Sequence, residues 1–170
     1  MTSDAGRMEW MNWSAQLEAV FATGVAMILG GLVGVERELK DRPAGFRTHM
    51  LVAGAAALLV GIGRLALEDP ALFDMDSASL RIDPLRLVEA VIAGVAFIGA
   101  GTIFGSRGHV AGITTAASLL MVAVIGIATG LHYYVVAGAA TALTLVVLAV
   151  LALLDRRRPR GKRSGSGNGA

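Results

Sequence analysis

The chain of 170 residues has no cysteine, only four prolines and 5% aromatic residues, and just 16% of it is charged. Without cysteine there is no disulfide framework, no thiolate nucleophile and no Cys-ligated metal. A soluble domain carries about 25% charged residues, so the shortage of charge excludes an ordinary water-facing fold. Hydrophobic residues make up 55% of the chain, and the mean hydropathy is +0.65. The charges are also clustered. Uncharged runs extend from Ala19 to Val35, from Ala90 to Ser106 and from Gly108 to Leu154, the last holding only His109 and His132 as ionisable groups. As helix this last run would be roughly 70 Å long, enough to cross a ~30 Å hydrocarbon core twice. The pattern predicts an all-α, polytopic membrane helical bundle.

The pI near 9.5 does not imply nucleic acid. Six of the fifteen bases (Arg156, Arg157, Arg158, Arg160, Lys162 and Arg163) directly follow the last apolar run. That is the place of a topology signal or a contact with anionic lipid headgroups. The start of the chain, with Asp4 and Glu9 beside Arg7, does not read as a cleavable signal peptide.

Five spans are predicted, at about 17–37, 48–67, 84–104, 110–130 and 133–154, preceded by an extracytoplasmic segment 1–16 and followed by a disordered basic cytoplasmic tail, 155–170. Asp83 and Pro84 supply an N-cap and first helical residue for the third span. Pro43-Ala44-Gly45 breaks the chain before the second. Gly130-Leu131-His132 must turn it before the fifth. With the C-terminus inside, eleven Lys and Arg residues fall on the cytoplasmic side and four outside, which favours N-out, C-in. Trp10, Trp13, Tyr133 and Tyr134 then lie at the outer interface.

Small residues let helix backbones meet inside a bilayer. In the third span Glu89, Ala93, Ala96, Ala100 and Arg107 form one stripe, and Gly94, Gly101 and Gly105 another, roughly opposite. Two such faces predict a span with neighbours on both sides, central in the bundle. In the first span Gly24, Gly30, Gly31 and Gly34 mark a similar face, which would carry Glu38 toward the interior. Gly54 and Gly61 mark the second span, and Gly126 and Gly130 the fourth. An offset of 67 relates Ala44-Gly45-Phe46-Arg47-Thr48 to Ala111-Gly112-Ile113-Thr114-Thr115, Gly34 to Gly101 and Gly63 to Gly130, as parallel repeats would. Gly99-Ala100-Gly101 lies within an apolar span with no strand before it, so it is not a dinucleotide fingerprint.

The densest chemistry is the first cytoplasmic connection, Glu36-Arg37-Glu38-Leu39-Lys40-Asp41-Arg42-Pro43-Ala44-Gly45-Phe46-Arg47-Thr48-His49. It reads either as an ion-paired turn or as a polar cluster, buried against Arg107, His109, Thr114 and Thr115, that binds a ligand or gates a path.

Gly31-x-x-Gly34-x-Glu36-Arg37-Glu38, followed by residues 42–52, resembles the N-terminal signature of MgtC/SapB membrane proteins. Residues 94–103, 112–118 and 126–130 resemble its later blocks in the same order. The resemblance implies a bacterial inner-membrane protein linked to magnesium homeostasis. Virulence-associated members carry a C-terminal ACT-like domain, so this chain resembles a transmembrane-only member.

Two functions compete. One is Mg2+ transport, with Glu89 as a candidate metal ligand and Glu36 and Glu38 at the other end of the bundle. Ionisable groups within a membrane are functional candidates by default, and magnesium keeps most of its waters, so one or two carboxylates suffice. Acidic residues of the outer loop (Glu68, Asp69, Asp74, Asp76 and Asp83) could collect cations. No cofactor other than Mg2+ is suggested. The alternative is a regulator that moves nothing and binds another membrane complex, for which the resemblance offers an ATP synthase or a cation transporter. The small-residue faces would also serve a homo-oligomer. An enzyme is not expected: there is no Gly-x-Ser-Gly, no intramembrane aspartate pair and no His-Glu-x-x-His, and His49, His109 and His132 are scattered. The residues expected to carry function are Glu36, Arg37, Glu38, Arg42, Arg47, Thr48, His49, Glu89, Thr114 and Thr115.

Overall fold

The computed structural model describes residues 3–68, 84–106 and 109–157. Their elements are α1 (Ser3–Glu38), α2 (Phe46–Glu68), α3 (Pro84–Thr102), a two-stranded antiparallel hairpin of β1 (Phe104–Ser106) and β2 (His109–Ala111), α4 (Ile113–Gly130) and α5 (Tyr134–Arg157). Four of the helices are long and apolar enough to cross a membrane, and α5 is apolar over Tyr134–Val150. The molecule is a membrane helical bundle.

Two boundaries differ from the sequence expectation for physical reasons. Helix α1 is continuous from Ser3, so residues 3–16 are helical and lead directly into the first span. Its 36 residues would measure ~54 Å, well beyond the hydrocarbon core. Helix α3 stops at Thr102, whose hydroxyl donates back to the Gly99 carbonyl at 2.7 Å. The chain then enters the hairpin and returns through Gly112, whose φ of 91° suits glycine, with Phe104 paired to Ala111. A Cβ on Gly112 would lie 1.9 Å from the Thr102 carbonyl oxygen, so glycine is required there. Gly105 therefore lies on a strand and does not continue the helical stripe. Arg107 lies outside the described residues. Helix α5 runs through Arg157, and the tail beyond it is likewise outside them, as are residues 69–83.

The central helix is α4, not α3. Of the α4 span 61% is buried, of the α3 span only 17%. Leu119, Val122, Ala123 and Ile125 on α4 have no exposure and form the core with Ala53, Ala56 and Ala57 of α2 and Ala26 and Val33 of α1. Glycine permits this closeness. A Cβ on Gly126 would stand 2.2 Å from the Ala53 carbonyl oxygen, and one on Gly130 2.7 Å from that of Ala57. These contacts advance together along both chains, so α2 and α4 run parallel. They begin 67 residues apart, at Phe46 and Ile113. The offset does not extend to packing, because Gly34 meets α2 whereas Gly101 has nothing within 4 Å of a built Cβ.

Two helices end in the same way. After α1, Asp41 N–H donates to the Glu38 carbonyl at 3.0 Å and Arg42 N–H to that of Arg37 at 3.1 Å, with Asp41 left-handed at φ 51°. After α4, His132 N–H donates to Thr129 at 2.9 Å and Tyr133 N–H to Ala128 at 2.8 Å, with His132 at φ 63°. Both are Schellman closures with a non-glycine residue at the left-handed position. The second makes the expected tight turn between the fourth and fifth spans.

Candidate functional site

The connection between α1 and α2 builds a polar site at the end of the bundle where α1, α3 and α5 finish and α2 and α4 begin. Glycines on α1 seat the first turns of α2: a Cβ on Gly30 would lie 2.7 Å from the His49 carbonyl oxygen, and one on Gly34 2.7 Å from Phe46 Cα. Glu38 closes the entrance, its Oε2 accepting the Phe46 N–H at 2.8 Å. It thereby satisfies one of the orphan donors at the start of α2. Glu38 is exposed, so its role is to cap and not to line the interior.

Seated in this way, His49 is completely buried. Its Nδ1 lies 2.8 Å from the Gly45 carbonyl oxygen and its Nε2 3.0 Å from Ser118 Oγ on α4. The carbonyl can only accept, so Nδ1 carries a proton. Ser118 Oγ is also 2.8 Å from the Thr115 carbonyl oxygen. With Nε2 unprotonated, the single hydroxyl proton has two acceptors within reach.

Beside this pair lies a second, charged group. Arg37 is 3% exposed, and its Nε sits 3.7 Å from Glu36 Oε2. Both atoms are buried and neither has a hydrogen-bond partner. The other Glu36 oxygen accepts from Lys40 Nζ, which also reaches the Leu148 carbonyl of α5 at 3.3 Å. One carboxylate is thus shared between two cations, and the group ties α1 to α5.

The structure gathers Glu36, Arg37, His49 and Thr115, and places Glu38 at the rim. Arg42 and Arg47 are exposed, Thr48 is half-buried, and Thr114 is exposed on the side of α4 that faces α5. The side chain of His109, on β2, is outside the described residues. Glu89 is exposed on α3 and belongs to no group of three or more potential metal ligands among the described residues. The acidic loop residues Asp69, Asp74, Asp76 and Asp83 fall outside the description, as does the side chain of Glu68. Sequence reasoning missed Ser118 as a member of the cluster, and it placed Lys40 in the charge-dense connection without counting it among the functional residues. Ser118 sits three residues after Thr115, one helical turn along the same face, and that spacing was the available signal. At the opposite end, Arg64 Nη1 approaches the ring nitrogens of His132 at 2.8 and 2.9 Å, with Tyr134 stacked on the same ring.

A family model described as the MgtC family matches residues 24–157. The chain is 35% identical over 133 residues to a protein of Escherichia coli K12 named "Putative magnesium transporter YhiD", covering 78% of this chain and 60% of that one. It is 32% identical over 149 residues to protein SapB of Bacillus subtilis, covering 86% and 62%. Against protein MgtC of Brucella abortus it is 35% identical over 144 residues, covering 85% and 54%. The chain thus spans somewhat more than half the length of these relatives. No solved structure matches it.

Proposed function

Because the chain belongs to the MgtC family, we propose that it is a non-enzymatic protein of the bacterial inner membrane working in magnesium homeostasis. The relative named as a magnesium transporter supports the link to that ion. The Lys and Arg bias supports N-out, C-in insertion, which puts the Glu36–Arg37–His49 cluster at the cytoplasmic end, next to anionic headgroups.

Within this reading the geometry favours regulation over transport. The observation that carries it is the occupation of Glu36, the carboxylate of the cluster, by Lys40 and Arg37. Magnesium retains its waters and binds through free carboxylates, so a carboxylate flanked by two cations is a poor ligand for it. Next to His49 the interior passes into Leu119, Val122, Ala123 and Ile125, which are fully buried and apolar. These four side chains offer a hydrated dication no polar partner. The cluster is better suited to hold α1, α2, α4 and α5 together as a fixed surface for a second membrane complex.

The transport reading keeps the Glu36 and Glu89 carboxylates as its path, and it makes a different forecast. Magnesium flux is measured into proteoliposomes carrying the protein, against empty liposomes and a Glu36→Gln, Glu89→Gln variant. The regulatory reading expects the same flux in all three. Flux with the wild type that disappears in the variant would replace it with transport.

A further inference from the structure

We propose that the groove between α4 and α5 holds one acyl chain of an anionic phospholipid, with the lipid's phosphate beside Lys40. Such a site is independent of what the protein does with magnesium.

A cavity of about 420 Å³ lies between these two helices, walled by Thr114, Ala117 and Met121 of α4 and by Leu143, Val147 and Leu148 of α5. It opens outward, because Ala117, Leu143 and Val147 on its two walls are exposed. Its hydroxyls are turned away from a ligand. Ser118 Oγ lies 2.8 Å from the Thr115 carbonyl oxygen, and Thr144 donates to the Ala140 carbonyl at 2.7 Å. What remains along the walls suits hydrocarbon. From Ile113 to Met121 the α4 wall rises ~12 Å. One leaflet of a ~30 Å hydrocarbon core is ~15 Å deep, so the groove matches the chain of a lipid in a single leaflet.

The end of the groove nearest the polar cluster is positive. Lys40 Nζ sits 3.3 Å from the carbonyl oxygen of Leu148, a wall residue. It shares Glu36 with the buried Arg37, so two cations face one carboxylate and one positive charge is left over. The whole connection from Glu36 to Arg47 has the same excess, with Arg37, Lys40, Arg42 and Arg47 against Glu36, Glu38 and Asp41. A charge drawn out of water beside hydrocarbon is unfavourable until a counter-ion reaches it. An anionic phospholipid brings one negative charge to that end while its chain fills the groove. Basic sites between membrane helices hold such headgroups. A zwitterionic lipid carries its own cation and leaves the excess in place. The first turn of α4 lies at the same end, and its N-cap Gly112 brings no side chain to the amides there, which leaves donors for the lipid's ester oxygens.

The test offers the intact chain, purified in detergent, an equimolar mixture of dioleoyl phosphatidylglycerol and dioleoyl phosphatidylcholine, read by native mass spectrometry. The tails are identical, so any selection comes from the headgroup. The expected result is one phosphatidylglycerol retained on the 17.5 kDa chain, preferred about fivefold or more, the weight of one basic residue against an anionic headgroup. Lys40→Met keeps the stem and leaves a neutral Glu36–Arg37 pair, so it should cancel the preference with lipid still bound. Ala117→Trp and, separately, Val147→Trp fill the groove from opposite walls and should abolish retention of both lipids. Ile28→Trp, on the outward face of α1, should change nothing. Thermal unfolding without lipid shows that each variant is folded, and the two groove positions, both exposed, give two independent chances of that. No retained lipid, equal retention of the two lipids, a preference that survives Lys40→Met, or retention unchanged by the groove variants would each overturn the site. So would an equal loss with Ile28→Trp, or a retained species with the mass of a peptide, which would name a different occupant.

Discussion

His49 Nε2 lies 3.0 Å from Ser118 Oγ, so two residues 69 positions apart join the first turns of the parallel helices α2 and α4. The contact is fully enclosed, and the ring's other nitrogen is held by the Gly45 carbonyl. Ser118→Ala removes the partner of Nε2 and should cost about 1–2 kcal/mol, the price of a buried polar atom left unpaired. His49→Leu combined with Ser118→Ala should cost less than the sum of the single changes, by about 0.6–1.7 kcal/mol. Equilibrium unfolding in detergent, arranged as a double-mutant cycle, measures this directly. Strict additivity would mean that the contact does not form.

Glu36 and Arg37 should behave as a buried pair. Glu36→Ala leaves the Arg37 charge enclosed without its neighbouring carboxylate, and the expected loss is about 3 kcal/mol. Arg37→Leu added to Glu36→Ala should restore part of that loss, because the orphaned charge is gone. The midpoint of thermal unfolding reports both effects, and a double variant less stable than Glu36→Ala would contradict the pairing.

At the exit of α1, Asp41 holds a left-handed φ of 51°, which an L side chain adopts at a cost. Asp41→Gly should stabilise the protein by roughly 0.5–1 kcal/mol through relief of that strain. The same denaturation measurement reads it, and a lower midpoint would show that the carboxylate has a role outweighing the backbone.

Glu38 caps α2 through its side-chain oxygen. Glu38→Ala should therefore cost about 1 kcal/mol, and Glu38→Gln, which keeps an acceptor, should cost less. Amide hydrogen exchange at Phe46 is the local readout. Unchanged protection in the alanine variant would argue against the cap.

The glycines should divide into two groups under substitution by alanine. Gly126→Ala forces a Cβ into the Ala53 carbonyl and should cost about 3 kcal/mol or more, since backbone on both sides has to move. Gly24→Ala meets nothing within 4 Å and, in a helix interior, should be neutral or stabilising by up to about 1 kcal/mol. The unfolding midpoint of Gly126→Ala should fall below that of the wild type, and that of Gly24→Ala should not.

Much of the architecture is local and so was legible in the residues. Long uncharged runs gave the helices, Pro84 the first residue of α3, and the Pro43-Ala44-Gly45 break the interval before α2. The charge-dense connection marked the region in which Arg37 and His49 are buried. Each follows from properties carried by a few adjacent residues: hydropathy, a missing N–H, a shortage of Cβ atoms.

Which small-residue face meets which neighbour is not local. Gly94 and Gly101 on α3 look in sequence much like Gly126 and Gly130 on α4, and the sequence expectation made the third span central. Only the folded chain separates them, by bringing the Ala53 and Ala57 carbonyls onto Gly126 and Gly130 and leaving Gly94 and Gly101 open. Ser118 became a partner of His49 by the same step. The amino-acid sequence by itself determined where helices form and where they can pack closely. The tertiary structure decided which of those surfaces are used, because close packing needs two surfaces, and the second lies far along the chain.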